Sequence, residues 1–126
     1  MVKSFRIVSV DVKLDKGSVE SFALGRDARV VVGFDRPLTR LECERVKDEV
    51  GKFVGDVERV SVNGSSLTVR TRDFDSVREF IEAANTSAAE WCEDVAAEVE
   101  RAKAALSAAA ESLGSVVVGR MNSTVF

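Results

Sequence analysis

The chain has 126 residues, 45 % of them apolar and 31 % charged, and a net charge of −3. That length holds one core plus an appended element rather than two independent cores, and the composition allows a packed interior and a solvated surface together. It excludes a strongly basic nucleic-acid binder. No apolar run approaches the ~18 residues of a membrane span and MVKSFRIVSVDV lacks a signal-peptide core, so a soluble, cytoplasmic protein with no membrane partner is expected.

Residues 5–14, FRIVSVDVKL, alternate, with Val8, Val10, Val12 and Leu14 on one face and Ile7, Ser9, Asp11 and Lys13 on the other; this predicts a half-buried strand with the valines inward. Asp15-Lys16-Gly17-Ser18 reads as a turn, residues 19–24 as a short partner strand, and Gly25-Arg26-Asp27 as a tight turn. Residues 28–34 give the next strand, with Ala28, Val30, Val32 and Phe34 inward, and the single proline, Pro37, ends it. Thr39 and Glu42 have capping-box spacing behind Leu38, a staple residue, and the following helix, about 40–54, carries Cys43, Val46, Val50, Phe53 and Val54 on one stripe. Residues 57–62 and 67–72 read as a hairpin about Asn63-Gly64, the dipeptide of a type I′ turn. The predicted order is β-β-β-α-β-β-α. It gives an α+β fold: a small antiparallel sheet of about four strands, one packed helix and a long C-terminal coiled-coil-like helix.

That long helix carries a heptad register. With Phe74, Ile81, Ala88, Val95, Ala102 and Ala109 as d positions, Cys92, Val99, Leu106 and Leu113 fall at a. From Ala88 to Leu113 the spacing is 4-3-4-3-4-3-4, the pattern of a coiled-coil seam rather than of an ordinary amphipathic face. A seam of that length needs a second helix, most simply from another copy, so a homodimer or homotetramer is expected. The helix should start at Asp75 or Ser76, with Glu79 completing a capping box, and stop at Gly114; Asn85-Thr86-Ser87 is the one place where it could bend or restart. The tail, with Val116, Val117 and Val118, is β-prone and predicted to pair with a sheet edge or cover a neighbouring subunit. Residues 1–74 are thus a sheet domain, 75–114 an oligomerisation helix and 115–126 a tail.

Catalytic chemistry has little to stand on. The chain has no histidine, no Gly-rich phosphate loop and no GxSxG elbow, so neither an enzyme nor a cofactor is expected. Cys43 and Cys92 lack CxxC spacing and a histidine to complete a zinc site, and both fall on helical core faces as buried thiols. The absence of Gln and His and the two Met hint at a hyperthermophile, the one setting where an intracellular disulfide between them would be expected.

Arginine supplies the remaining signal. Residues 1–73 carry 14 basic and 12 acidic side chains, residues 74–126 carry 4 and 9. With the valines of the first strand inward, Phe5 and Ile7 point to the opposite face of the sheet, together with Arg29, Val31, Arg59, Arg70 and Arg72. Arginines beside apolar and aromatic side chains on a sheet suit single-stranded DNA or RNA, whose bases stack and whose phosphates pair with guanidinium groups. Phe5, Arg29, Arg59, Arg70 and Arg72 are therefore the candidate nucleic-acid-binding residues. The same arginines are more simply accounted for as solvation of an exposed face, with Phe5 and Val31 covered by the tail or a partner. Trp91, at a g position, reads as an aromatic packed beside the seam or onto the sheet.

RIVSVDV, ARVVVGF, the 40–54 helix, VERVSVNGSSLTVR and the seam from Ala88 to Leu113 together resemble the ThermoDBP group of single-stranded DNA-binding proteins of hyperthermophilic archaea in order of elements. The resemblance implies an archaeal, self-associating protein that holds single strands in a cleft or between subunits through stacking and basic contacts. A looser similarity, from Val30 to about Leu106, is to the small dimeric subunit of the tRNA-modifying KEOPS complex. It implies a non-catalytic scaffold or complex subunit with no nucleic acid of its own to bind.

Overall fold

Four strands form one antiparallel sheet in the order β1-β2-β4-β3: β1 (Ile7–Leu14), β2 (Ala28–Phe34), β3 (Val60–Val62) and β4 (Ser66–Thr71). Three α-helices accompany them, α1 (Val19–Ala23), α2 (Arg40–Val54) and α3 (Phe74–Thr124), with a 3₁₀ turn over Val57–Arg59. The computed structural model describes residues 3–14 and 18–124, excepting the side chains of Val57 and of 118–124. The fold is α+β, with a four-stranded antiparallel sheet, a shorter packed helix and a long C-terminal helix.

The sequence pattern dictates β2 directly. Ala28, Val30, Val32 and Phe34 alternate with half-buried residues and are all buried. Val60, Leu67 and Val69 line the same face, and α2 and the first part of α3 close it with Val46, Val50, Val77, Phe80, Ala84 and Ala88. Burying each of the valine, leucine and phenylalanine side chains stabilises by about 1.5–3 kcal/mol. Trp91 stacks on Phe80 (6.2 Å, 16°) inside this core, as packing demands of a large ring. The Thr39–Glu42 capping box is formed, and Gly55, at φ 77°, ends α2 in the left-handed region where only glycine sits without strain.

Several expectations are corrected. Residues 19–23 form α1 rather than a strand, because the Ser18 side chain accepts the Ser21 N–H (3.2 Å) and caps a helical turn. The turn read at Asp15-Lys16-Gly17 lies outside the described residues, which resume at Ser18. The hairpin exists, but Gly64 is not among the positive-φ glycines. The Asn63 carboxamide oxygen instead accepts from Ser65 and Ser66 N–H (3.1 and 2.9 Å) and shapes the loop. Asp73 supplies the α3 cap, accepting from Ser76 N–H and Oγ–H (3.1 and 2.6 Å). The helix is continuous through Asn85-Thr86-Ser87 rather than restarting there. Asn85 Oδ1 accepts the Ile7 N–H (3.0 Å), and Thr86 Oγ1 donates back to the Glu82 carbonyl (3.0 Å) without breaking the helix.

Phe5 and Ile7 are the largest correction, since both are buried rather than outward. A bulge between Ile7 and Ser9 inserts one residue into β1, and a one-residue slip moves every preceding side chain to the other face. Ile7 therefore pairs with Phe34 on the core side while Val10 and Val12 pair with Val32 and Val30 on that same side. The valines nonetheless stay open to solvent, Val8 at 63 %, Val10 at 49 % and Val12 at 55 %, because β1 is an edge that the helices do not cover.

The chain divides into two compact units, residues 1–95 and 96–126, so the sheet unit includes the first part of α3, where the sequence drew its boundary at 74/75. This partitions the heptad seam. Ala88, Cys92 and Val95 are buried in the chain's own core and have no seam to offer a partner. In the second unit Ala102, Leu106, Ala109 and Leu113 are exposed, with Val99 half-buried. The helix also passes Gly114 and runs through Thr124, so the tail forms no edge strand over 115–124. Carrying an existing helix through one glycine costs about 1 kcal/mol, less than the nucleation of any new element. Val116 thereby extends the heptad spacing by one step. No helix among the described residues is long and apolar enough to cross a membrane.

Candidate nucleic-acid interface

The sheet face opposite the core carries Ser9, Asp11 and Lys13 from β1, Arg29, Val31 and Gly33 from β2, and Ser66, Thr68 and Arg70 from β4. A Cβ at Gly33 would lie 2.2 Å from Ser9 Oγ but 3.6 Å from Ser9 Cβ, so the close pairing here fixes the rotamer of that hydroxyl. Register brings charge together on this face. Lys13 is directly opposite Arg29, and Arg29 is directly opposite Arg70, so three cations form one row across three strands. Like charges opposite one another on a sheet destabilise it by tenths of a kcal/mol to about 1 kcal/mol per pair. Asp11, two residues along β1 on the same face, lies 3.9 Å from Lys13 Nζ with both side chains mostly exposed, a pair of little worth. Among the described residues neither Arg29 nor Arg70 has a carboxylate partner, and Arg29 Nε is shielded from solvent with no hydrogen-bond acceptor. The row concentrates positive charge on the outer face of the sheet.

The other nominated residues are placed differently. Arg59, at the end of the 3₁₀ turn, is committed to Asp27 and to Asp56 (3.3 Å). Arg72 turns away from the face: it donates to the carbonyls of Phe22 and Arg26 (2.5 and 2.7 Å) and lies 4.0 Å over the Phe22 ring, locking the α1 turn. Phe5 packs edge-on against Phe34 at 5.3 Å, 1 % exposed, and offers no stacking platform. Of the five residues read from sequence, Arg29 and Arg70 are brought together. Lys13 was the one missed; its outward parity in FRIVSVDVKL was legible, but its alignment with arginines from distant strands was not.

On the core side, at the uncovered edge of β1, an open apolar cleft of about 430 Å³ lies between Val10, Val12 and Val30 of the sheet and Phe74, Val77 and Ile81 of α3. Phe74 is partly exposed there and stacks on Phe22 (6.1 Å, 22°).

The titratable groups with displaced pKa values lie elsewhere, in a buried cluster. Arg36 does not pair with its neighbour Asp35. It grips Glu42 with two hydrogen bonds (2.9 and 2.8 Å) and donates to the carbonyls of Lys3 and Pro37 and, at 3.6 Å, to Cys92 Sγ. The guanidinium hydrogen bonds hold the Glu42 carboxyl down to about 2, and burial pushes the Cys92 thiol up to about 11. Cys43 and Cys92 are free thiols, not a disulfide. A protonated, buried thiol and a salt-bridged carboxylate are poor nucleophile and poor base, so this cluster fastens the N-terminal segment to α2 and α3.

The chain matches no protein-family model, and no curated protein or solved structure is detectably similar to it.

Proposed function

We propose that this is a non-catalytic, self-associating protein that binds single-stranded nucleic acid, DNA in the first instance, on the outer face of its sheet. The observation that carries the reading is the Lys13–Arg29–Arg70 row, three opposed cations without adequate carboxylate partners on a face that no described element covers. A phosphodiester backbone laid across the row relieves its self-repulsion and gives the two guanidinium groups an anionic partner that no described carboxylate supplies. Groove readout of a duplex needs a protruding helix or ribbon, and this face presents none. With no aromatic side chain among the described residues of the face, contacts go to phosphate rather than to stacked bases, so binding is salt-sensitive and tolerant of sequence.

Titration of a labelled single strand against salt tests this. Arg29→Ala with Arg70→Ala should lower the slope of log affinity against log salt by about 0.7 per residue. Arg59→Ala and Arg72→Ala should change it little, because those guanidinium groups are already engaged. A wild type without measurable affinity at roughly 50 mM salt, where phosphate contacts are strongest, sinks the proposal. The second reading, a complex subunit or coiled-coil scaffold, would then stand; the exposed stripe of Leu106, Leu113 and Val116 favours it.

A further inference from the structure

The two edges of the sheet differ in a way that bears on assembly. β3 is an edge of three residues, too short to template another strand. β1 is an edge of eight residues, paired only with β2, free of proline, with its bulge confined to the Ile7–Ser9 end. Its other side therefore offers free N–H and C=O groups beside Val10 and Val12, half-exposed over the apolar cleft. An edge that is long, free of proline and, among the described residues, uncovered beyond its bulge invites a strand whose charges match Asp11 and Lys13.

We propose that the strand is β1 of a second copy, paired antiparallel about a two-fold axis through Val12, so that two four-stranded sheets become one. Charge selects this occupant and this register. Centred on Val12, the self-pair sets Asp11 opposite the partner's Lys13, and Lys13 opposite the partner's Asp11. Val12 then meets the partner's Val12, and Val10 meets the partner's Leu14, on the core side. Centred on Asp11, the pair would set carboxylate against carboxylate. Centred on Val10, it would leave both charges unmatched and run into the bulge at Ile7–Ser9. The interface is isologous and closes after two copies. It also makes the unit functionally larger: the outer faces of both sheets lie on one side, and the two Arg29 positions fall roughly 15 Å apart at ~4.8 Å per strand. The edge pairing rests on β1 alone and does not depend on what the arginines bind.

Register makes the test specific. Residues directly opposite in such a pair are close enough for a disulfide, so Val12→Cys should cross-link to its own copy under mild oxidation, beyond the wild type with its native Cys43 and Cys92. Val10→Cys, offset from its own copy by four residues or ~14 Å, should not. In the Val12→Cys background, Asp11→Lys sets lysine against lysine and Lys13→Asp sets aspartate against aspartate; each should reduce cross-linking roughly tenfold. Both positions are exposed on the outer face, so the fold is kept. Mixing the two reversed variants should restore cross-linking, since each supplies the charge the other lacks. Cross-linking of Val10→Cys in place of Val12→Cys, of neither, or without recovery in the mixture overturns the proposal.

Discussion

Replacing Glu42 by glutamine isolates what the buried ion pair contributes. Glutamine keeps an oxygen to accept the Thr39 N–H (2.8 Å in the native box), so the α2 cap survives, but the Arg36 guanidinium loses the charge it faces. Glu42 is 6 % exposed, and its carboxyl sits at about 2 against an ordinary 4.5, mainly because Arg36 holds the ionised form by hydrogen bonds against the opposing cost of burial. A displacement of that size corresponds to about 3 kcal/mol at 1.36 kcal/mol per pH unit. The folded state lowers the pKa, so this stability is fully present above the ordinary value. It drains away as the pH falls from about 4.5 toward 2. The same figure lies at the low end of the 3–5 kcal/mol cost of breaking a buried pair, as suits an Arg36 that keeps its carbonyl acceptors and some solvent contact.

Denaturant unfolding of wild type and Glu42→Gln at one protein concentration, at several pH values from neutral to acid, reads this out. Other carboxylates titrate in both proteins and cancel in the difference. The variant should be about 3 kcal/mol less stable at neutral pH, and the gap should close as the wild type protonates. A gap that stays constant through the acid range would mean that the carboxylate's charge does not stabilise the fold, and the reasoning would fail.

Phe5→Ala should cost about 3–5 kcal/mol of stability, the price of a cavity under Phe34 and Trp91, rather than a selective loss of nucleic-acid affinity; equal thermal midpoints would contradict its burial. Leu106→Asp, at a position 71 % exposed, should leave the unfolding midpoint of the sheet unit unchanged while lowering the mass seen in sedimentation, and a wild type already monomeric at micromolar concentration would refute a role in assembly. Gly55→Ala should cost about 1 kcal/mol, because the α2 cap at φ 77° has open space around it but a backbone that side chains avoid; denaturant unfolding with no loss would count against that strain.

What was legible in the sequence was whatever local pattern alone decides. The β2 alternation, the Thr39–Glu42 box, the α2 stripe and the existence of the hairpin are each set by residues within a turn or a strand of one another, and each is present. What was not legible depends on partners distant along the chain. A bulge changes no residue type, yet it reverses the face of Phe5 and Ile7 and removes the only aromatic ring from the proposed binding face. The heptad spacing is uniform from Ala88 to Leu113, but period alone cannot tell a helix packed on its own sheet from one packed on another chain. The division at Val95 had to come from the core, which Ala88 and Cys92 join and where Val95 is the last buried residue of the unit.

The outer face shows the same dependence with a functional consequence. Arg29 and Arg70 were singled out by parity on their own strands, and Arg59 and Arg72 by the same rule. Parity says which side of a sheet a residue takes; it does not say what else reaches it there. Arg59 and Arg72 are drawn off by Asp27, Asp56 and two carbonyls of the α1 turn, an element the sequence pattern concealed as a strand. Arg29 and Arg70 are left facing each other by the β2–β4 register, with Lys13 added by the β1–β2 register. A row of opposed cations costs stability where it stands, and mutation readily supplies a neutral residue at an exposed position. The proposed single strand would offset that cost by bringing phosphates to a local cluster of cations in a chain of net charge −3.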